Sequence, residues 1–252
     1  MYDYYLGGKD NFACDREAAE RVLAGAPQVR RIATANRAFL GRAVRFLARS
    51  GIRQFIDLGA GLPTQRNVHD VAQEIIPDAR VAYVDNDPIV LTHGRALLGG
   101  AGNTSVIQAD LRHPDDVLGH PELRGLIDLA QPVGLLFFSV LHFVPAAEDP
   151  QAIVARYRDA VTPGSYLALS SAVDDLFQRR AREQVEQVYV QSKAASGGGL
   201  TARNDVLAYF GDFELVSPGL VSIVDWRPDE PAPVSRPEEI WLGGGVARKP
   251  SA

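Results

Sequence analysis

Residues 54–64 read QFIDLGAGLPT and residues 80–91 read RVAYVDNDPIVL. Gln54–Leu58 and Arg80–Val84 are nearly continuous apolar runs, the pattern of parallel strands buried on both faces. Between them Val68, Val71, Ala72, Ile75 and Ile76 fall at helical spacing, and Pro77 closes that segment. Strand, helix and strand in this order predict a right-handed βαβ crossover. The unit repeats outward. Ser105–Ala109, Val133–Phe138 and Ser165–Ser170 supply three more strand-like runs. Asp87-Pro88 and Asp149-Pro150 each place an N-cap before a first-turn proline. They open helices that end at Gly99-Gly100 and before Pro163-Gly164. The expected fold is α/β, a doubly wound and mostly parallel sheet.

Two regions flank this core. Asp15–Ala24 and Pro27–Ser50 read as helices, stopped by Gly25 and Gly51. The second has Val29, Ile32, Phe39, Val44 and Leu47 on one side. Its other side carries Arg30, Arg31, Arg37, Arg42, Arg45 and Arg49, expected to form a solvated face. After the core, Asp174–Ala195 reads as a charged helix and Ser196–Gly199 as a link. A short helix ending at Gly211 precedes strand-like segments at Glu214–Val216, Val221–Trp226 and Ile240–Arg248. The last two are joined by the proline-rich Arg227–Pro237.

Composition excludes several classes of function. The 252 residues are 46% hydrophobic and 23% charged, an ordinary globular balance with no internal repeat and no visible second domain. The lone cysteine, Cys14, removes the disulfide-scaffold class and carries no mark of a nucleophile. A net charge of −5 argues against nucleic acid as a partner, despite the six arginines. The longest apolar run, Val133–Val140, is strand-sized, so no membrane span is expected. The polar, aromatic N-terminus MYDYYLGGKDNF is unlike a signal peptide, and a cytoplasmic location is expected.

Ligands of an open parallel sheet bind beyond the carboxyl ends of its strands, where the strand order reverses. Three acids stand at such ends. Asp57 precedes Gly59-Ala60-Gly61, a turn that lets backbone approach a ligand closely. Asp85 ends the second strand, 24 residues beyond Gly61, where a carboxylate can accept both hydroxyls of a ribose. Asp110 ends the third strand, along the edge of a base in the crevice. Together they imply an adenosine-containing ligand. Thr64 stands where a dinucleotide fingerprint needs its third glycine, and no Walker lysine is present. S-adenosylmethionine, which carries no phosphate, fits this pattern. A nicotinamide-dependent oxidoreductase and a non-catalytic nucleoside-binding regulator stay open as alternatives.

Taken together, the motifs resemble those of an actinobacterial S-adenosyl methyltransferase family, formerly a domain of unknown function, within the class I methyltransferases. The resemblance spans nearly the whole chain. It rests on YDYYLGGKDNFACDREAAE (2–20), ANRAFLGRAVRFL (35–47), FIDLGAGLPT (55–64), YVDNDPIVL (83–91), SVLHFVP (139–145) and VDWRP (224–228). It implies a Rossmann-like sheet of seven mostly parallel strands with the last antiparallel. It also implies one domain over 1–252, with residues 1–51 as lid and helical cap and 52–252 as core. S-adenosylmethionine is the implied cosubstrate. Asp57, Gly59 and Gly61 match the cofactor loop, Asp85 the ribose carboxylate, Asn86 a neighbour of the adenine, and Asp110-Leu111 the adenine edge. Ser139–His142 match the stretch beside the transferred methyl. It lacks the Asn/Asp-Pro-Pro-aromatic motif of enzymes that methylate amide or base nitrogens.

Four further expectations concern single residues. Gly7–Asn11 reads as a lid in which Asp10 or Asn11 meets the methionyl ammonium. Asn36 interrupts an apolar stripe and must be satisfied by a ligand, by the Gly7–Asn11 segment or by a neighbouring helix end. Ser139 is expected at the cofactor, and His142 as a general base. The expected partner is a small-molecule acceptor, with a homodimer left open and neither nucleic acid, membrane nor metal involved.

Overall fold

The structure, a computed structural model, describes residues 1–9, 11–62, 67–98, 102–176, 200–229 and 240–251. Several expectations lie outside those residues: Asp10, Pro63-Thr64, the Gly99-Gly100 stop, the helix and link beyond Leu176, and most of Arg227–Pro237.

Eight strands form one sheet: β1 (Gln54–Leu58), β2 (Arg80–Asp85), β3 (Thr104–Gln108), β4 (Gly134–Phe138), β5 (Tyr166–Ala172), β6 (Glu214–Leu215), β7 (Val221–Ser222) and β8 (Leu242–Arg248). Their order is β3-β2-β1-β4-β5-β8-β6, and β7 pairs β8 beside that path. The first five pair in parallel. β8 runs antiparallel to β5 over seven residues, from Tyr166↔Arg248 to Ala172↔Leu242. The implied seven strands are therefore corrected to eight. Two short strands share the outer edge of β8, β6 at Arg248 and Ala247 and β7 at Gly244 and Gly243. The turn closed by Gly219 N–H to Val216 carbonyl separates them. β7 stops at Ser222, short of the expected Trp226, where the chain turns with Asp225 N–H donating to the Ser222 carbonyl at 2.9 Å; Arg42 bonds the carbonyls of Ile223 and Trp226 in and after that turn.

Nine α-helices are described: α1 (Tyr2–Tyr5), α2 (Ala13–Gly25), α3 (Val29–Arg49), α4 (Val68–Gln73), α5 (Pro88–Leu98), α6 (Pro114–Gly119), α7 (Pro121–Leu126), α8 (Pro150–Ala160) and α9 (Arg203–Ala208). Asp87 Oδ1 accepts the Ile89 N–H at 2.8 Å, and Asp149 Oδ1 accepts that of Ala152 at 3.1 Å. Both Asp-Pro devices thus cap helices as the sequence predicts.

Strand alternation divides the core into two layers. Phe55, Val81, Tyr83, Leu136, Phe138 and Ala168 join Phe39, Val44 and Leu47 of α3. Ile56, Val84, Leu135, Phe137 and Leu169 join Leu123, Tyr157 and Phe210 on the opposite face. Asp57 is the odd member of β1. Its side is that of Phe55, so the carboxylate faces the α3 layer. Burying the apolar side chains at about 25 cal/mol per Å² anchors both layers and so fixes where the strand ends point.

The arginine face of α3 is not uniformly solvated. Arg42 is half-buried and bonds the carbonyl of Trp226 at 2.9 Å, Arg45 pairs with Asp229 at 2.6 Å, and Arg37 lines a cleft. Arg30, Arg31 and Arg49 are exposed as expected.

Candidate active site

The strand order reverses between β1 and β4, which run in parallel on either side of the switch. On one side of it the acids of β1, β2 and β3 meet the glycine turn. Gly59 and Ala60 donate to the Val84 carbonyl at 2.8 and 3.2 Å. Gly61 N–H donates to Asp85 Oδ2 at 2.8 Å, and Asp87 N–H to Asp85 Oδ1 at 3.0 Å. Ala109 donates to the Asp85 carbonyl at 3.0 Å, and Asn86 Nδ2 approaches Asp110 Oδ2 at 3.5 Å. Asp57, Gly59, Gly61, Asp85, Asn86, Asp110 and Leu111 are thereby gathered at three adjacent strand ends.

The two glycines serve different needs. Gly59 has φ +75°, and a β-carbon there would lie 2.4 Å from Cγ2 of Val140. Gly61 has φ +67°, and nothing stands within 4 Å of its missing β-carbon. The first lets β1 and the segment after β4 touch. The second leaves open space beside a cleft lined by Arg37, Asp57, Gly61, Asn67 and Tyr83.

The electrostatics differ along the row. Burial pushes the Asp57 carboxyl up to about 7; Arg37 opposes that rise and Asp85 adds to it. Asp85 is also raised, again chiefly by burial, while the Asp87 and Gly61 amides pull it down. Asp110 goes the other way, to about 2, because the Arg112 guanidinium bonds it through Nε and Nη2. Arg112 Nη1 also reaches Glu148 at 3.1 Å, so the base-edge carboxylate is ionised and held in place. Leu111 is buried, and its carbonyl accepts the Tyr157 hydroxyl at 3.0 Å.

Beyond the switch, Ser139 follows β4 with φ +53°, a conformation that a residue with a β-carbon keeps only when held. Its N–H donates to the carbonyl and to Oγ of Ser170, each at 3.0 Å. Its own Oγ is buried without a partner among the described residues, as is Nδ1 of His142. His142 sits in a 3₁₀ turn, Leu141–Phe143, only 8% exposed. Burial lowers its imidazole to about 4, so it is neutral at physiological pH. Contact between Val140 and Gly59 joins this segment to the glycine turn.

Asn11 stands apart from the row. Its Nδ2 donates to Asp3 Oδ2 at 2.8 Å and to the Gly8 carbonyl at 2.9 Å, and its Oδ1 accepts from Arg16 at 3.0 Å. Both ends of the amide thus brace the N-terminal hook, and among the described residues no hydrogen bond joins Asn11 to the strand ends. Asn36 is satisfied within the protein by Tyr2 and Ser170.

Sequence reasoning missed Tyr83 and set Arg37 on the solvated arginine face. Arg37 is i+4 from Ala33 and i−3 from Leu40, so it lies on the buried side of α3, and that spacing was the available signal. Tyr83 alternates with the inward strand residues and accepts the His69 N–H at 2.9 Å. Among the described residues no group of His, Cys, Asp and Glu is placed to hold a metal.

The profile of the S-adenosyl methyltransferase family matches residues 1–250. A Thermobifida fusca protein, provisionally described as a methyltransferase, is 43% identical with a TM-score of 0.93, over 99% of this chain and 93% of its own. A DUF574 family protein from Streptomyces avermitilis is 39% identical with the same TM-score, over 99% and 95%. The N-methyltransferase NodS of Bradyrhizobium japonicum, solved with S-adenosylhomocysteine, shares the fold at 12% identity and TM-score 0.51, over 84% and 86%. No curated protein matches. The chain belongs to the S-adenosyl methyltransferase family, and its cosubstrate is S-adenosylmethionine.

Proposed function

We propose that this methyltransferase acts on a small-molecule acceptor bound against Ser139 and His142, with the cosubstrate held along the ends of β1, β2 and β3. The observation that carries the cosubstrate half is the bonded row Gly61–Asp85. A ribose diol finds there a carboxylate already oriented by two backbone N–H groups, and acceptor capacity remains on both oxygens. Asp110 and the Leu111 backbone take the base edge. Asn86, exposed beside Asp110, flanks it.

The amino-acid end of the cosubstrate is a zwitterion, and the cleft carries both complements. Asp57 suits the ammonium and Arg37 the carboxylate. A cation beside Asp57 offsets the burial that raises its pKa. Open space beside Gly61 lets the chain pass close to backbone, as the fit requires. Asn11 acts on this site through the hook that it braces. When bound, S-adenosylmethionine supplies a methyl made electrophilic by its sulfonium.

On the acceptor side, buried polar atoms of native proteins are normally paired, so the orphaned Ser139 Oγ and His142 Nδ1 call for a partner. A neutral imidazole and a hydroxyl orient an acceptor without adding charge. His142 is too weak a base to remove a proton before transfer. It accepts the proton as the nucleophile loses it, and alignment supplies several kcal/mol of the acceleration. The acidic net charge of the chain supports a small molecule over nucleic acid. No helix of the described residues is long and apolar enough to cross a membrane, and a single cysteine suits a reducing compartment; both support a cytoplasmic site of action.

The test is mass spectrometry of a small-molecule acceptor panel incubated with S-adenosylmethionine. A product heavier by one methylene, lost in His142→Ala while S-adenosylhomocysteine still binds, supports the assignment. Methylation confined to protein or nucleic acid contradicts it.

A further inference from the structure

One line of hydrogen bonds runs from the first helix to the end of β4. Tyr2 donates its hydroxyl proton to the Ala33 carbonyl at 3.2 Å. Asn36 Nδ2 donates to that same hydroxyl at 3.0 Å. Ser170 Oγ donates to Asn36 Oδ1 at 2.6 Å. Ser139 N–H donates to Ser170 Oγ at 3.0 Å.

The directions along the line are mutually consistent. Ser139 N–H, shared with the Ser170 carbonyl, donates to Ser170 Oγ, which accepts it while giving its own proton to Asn36 Oδ1. That choice fixes which end of the amide faces Ser170, and the NH₂ end then needs an acceptor. The Tyr2 hydroxyl accepts, and its proton goes to Ala33. Tyr2 as a residue is 38% exposed, but its hydroxyl is engaged by Ala33 and Asn36, and desolvation there raises its pKa above the ordinary phenol value, so it keeps that proton at neutral pH. Asn36 is 3% exposed and Ser170 fully buried, so a broken bond here leaves a polar atom without water. At the end of the line stands the left-handed Ser139, three residues before His142.

We propose that Tyr2, Asn36 and Ser170 are positioning residues for methyl transfer, a polar relay through which the N-terminal helix sets the backbone of Ser139 and the segment bearing His142. The proposal rests on the assignment of the β4 end as the acceptor side. It makes residue 2, remote in sequence from every strand, a determinant of site geometry.

Ser171 provides an internal control. It is fully buried on the same strand, one residue along, and its Oγ has no partner among the described residues. Hydrogen exchange is measured by mass spectrometry on the ligand-free chain and on Tyr2→Phe, Ser170→Ala, Ser170→Thr and Ser171→Ala. Loss of one buried bond is expected to speed exchange over residues 139–144 about 3–10-fold in Tyr2→Phe and Ser170→Ala. Ser170→Thr keeps the hydroxyl and restores protection, and Ser171→Ala matches the parent chain. With an acceptor in hand, the first two variants lower kcat over the same range, and S-adenosylhomocysteine affinity stays within about twofold. Exchange in Tyr2→Phe or Ser170→Ala equal to that in Ser171→Ala overturns the relay. If the relay stands and His142→Ala retains full turnover, the fault lies with the acceptor-side assignment instead.

Discussion

Val140 rests against the α-carbon of Gly59, so closely that a β-carbon on Gly59 would lie 2.4 Å from Val140 Cγ2. This contact joins the cofactor turn after β1 to the acceptor-side segment after β4, across the point where strand order reverses. It also separates the roles of two glycines that look alike in the motif.

Gly59→Ala forces a β-carbon into Val140 at φ +75°. The left-handed backbone costs about 1–2 kcal/mol and the overlap about 1–3 more. Thermal unfolding should report a loss in that range, partly recovered in Gly59→Ala combined with Val140→Ala. Gly61→Ala meets no atom within 4 Å. It should lose only the backbone part of that stability, and its calorimetric affinity for S-adenosylhomocysteine should drop about tenfold or more as the methyl fills the cleft.

Asp57 makes stability and ligand affinity depend on pH in opposite senses. Its folded pKa of about 7 exceeds the ordinary 3.8. The stabilising proton uptake is therefore complete below pH 3.8 and is lost as pH rises through 7. Asp57→Asn should be the more stable protein at pH 8, by a few kcal/mol at about 1.4 kcal/mol per pKa unit. The ligand's ammonium needs the carboxylate ionised, so binding below pH 7 releases a proton. Affinity of the parent chain for S-adenosylhomocysteine should fall by up to about tenfold per pH unit below 7, and that slope should vanish in Asp57→Asn.

His142 titrates near 4 because burial disfavours its charged form. At saturating cosubstrate, turnover should therefore show no inflection from this imidazole between pH 6 and 8. A His142-dependent step near pH 6.5, absent in His142→Gln, would show that the ring is solvated and that its neutral role is wrong.

Arg37 and Asp57 share one cleft. Arg37→Met keeps most of the side chain's volume and removes its charge. It should weaken S-adenosylhomocysteine binding about 10–100-fold, in line with loss of a charged hydrogen bond of about 1.5–3 kcal/mol. Adenosine, which lacks the amino-acid end, should bind both proteins equally.

Much of the fold was legible because hydrophobic runs buried on both faces announce themselves. β1 falls on Gln54–Leu58, the range its apolar run predicts, and both Asp-Pro caps open helices. The acids near strand ends were legible for the same reason: once the strand is bounded, Asp85 is its last residue, and Asp57 and Asp110 lie within two residues of the ends of β1 and β3. What stayed hidden depends on contacts between distant segments. Arg42 bonds carbonyls more than 180 positions away in the segment after β7, and no local pattern predicts that. Arg37 read as one of six solvated arginines although its helical phase set it inward. The N-terminal hook is held by Asp3, Gly8 and Asn11, whose bonds follow neither strand nor helix period. In the ligand-free chain those bonds hold Asn11 in the hook. The family profile then set aside the nicotinamide alternative.

Calorimetric titration of S-adenosylhomocysteine into the parent chain and into Asp85→Ala, at pH 8, tests the central claim most directly. The bonded pair Gly61–Asp85 predicts one site per chain with micromolar or tighter affinity, weakened at least about a hundredfold by the substitution. Equal affinity in the two proteins would contradict the claim that this carboxylate grips the ribose.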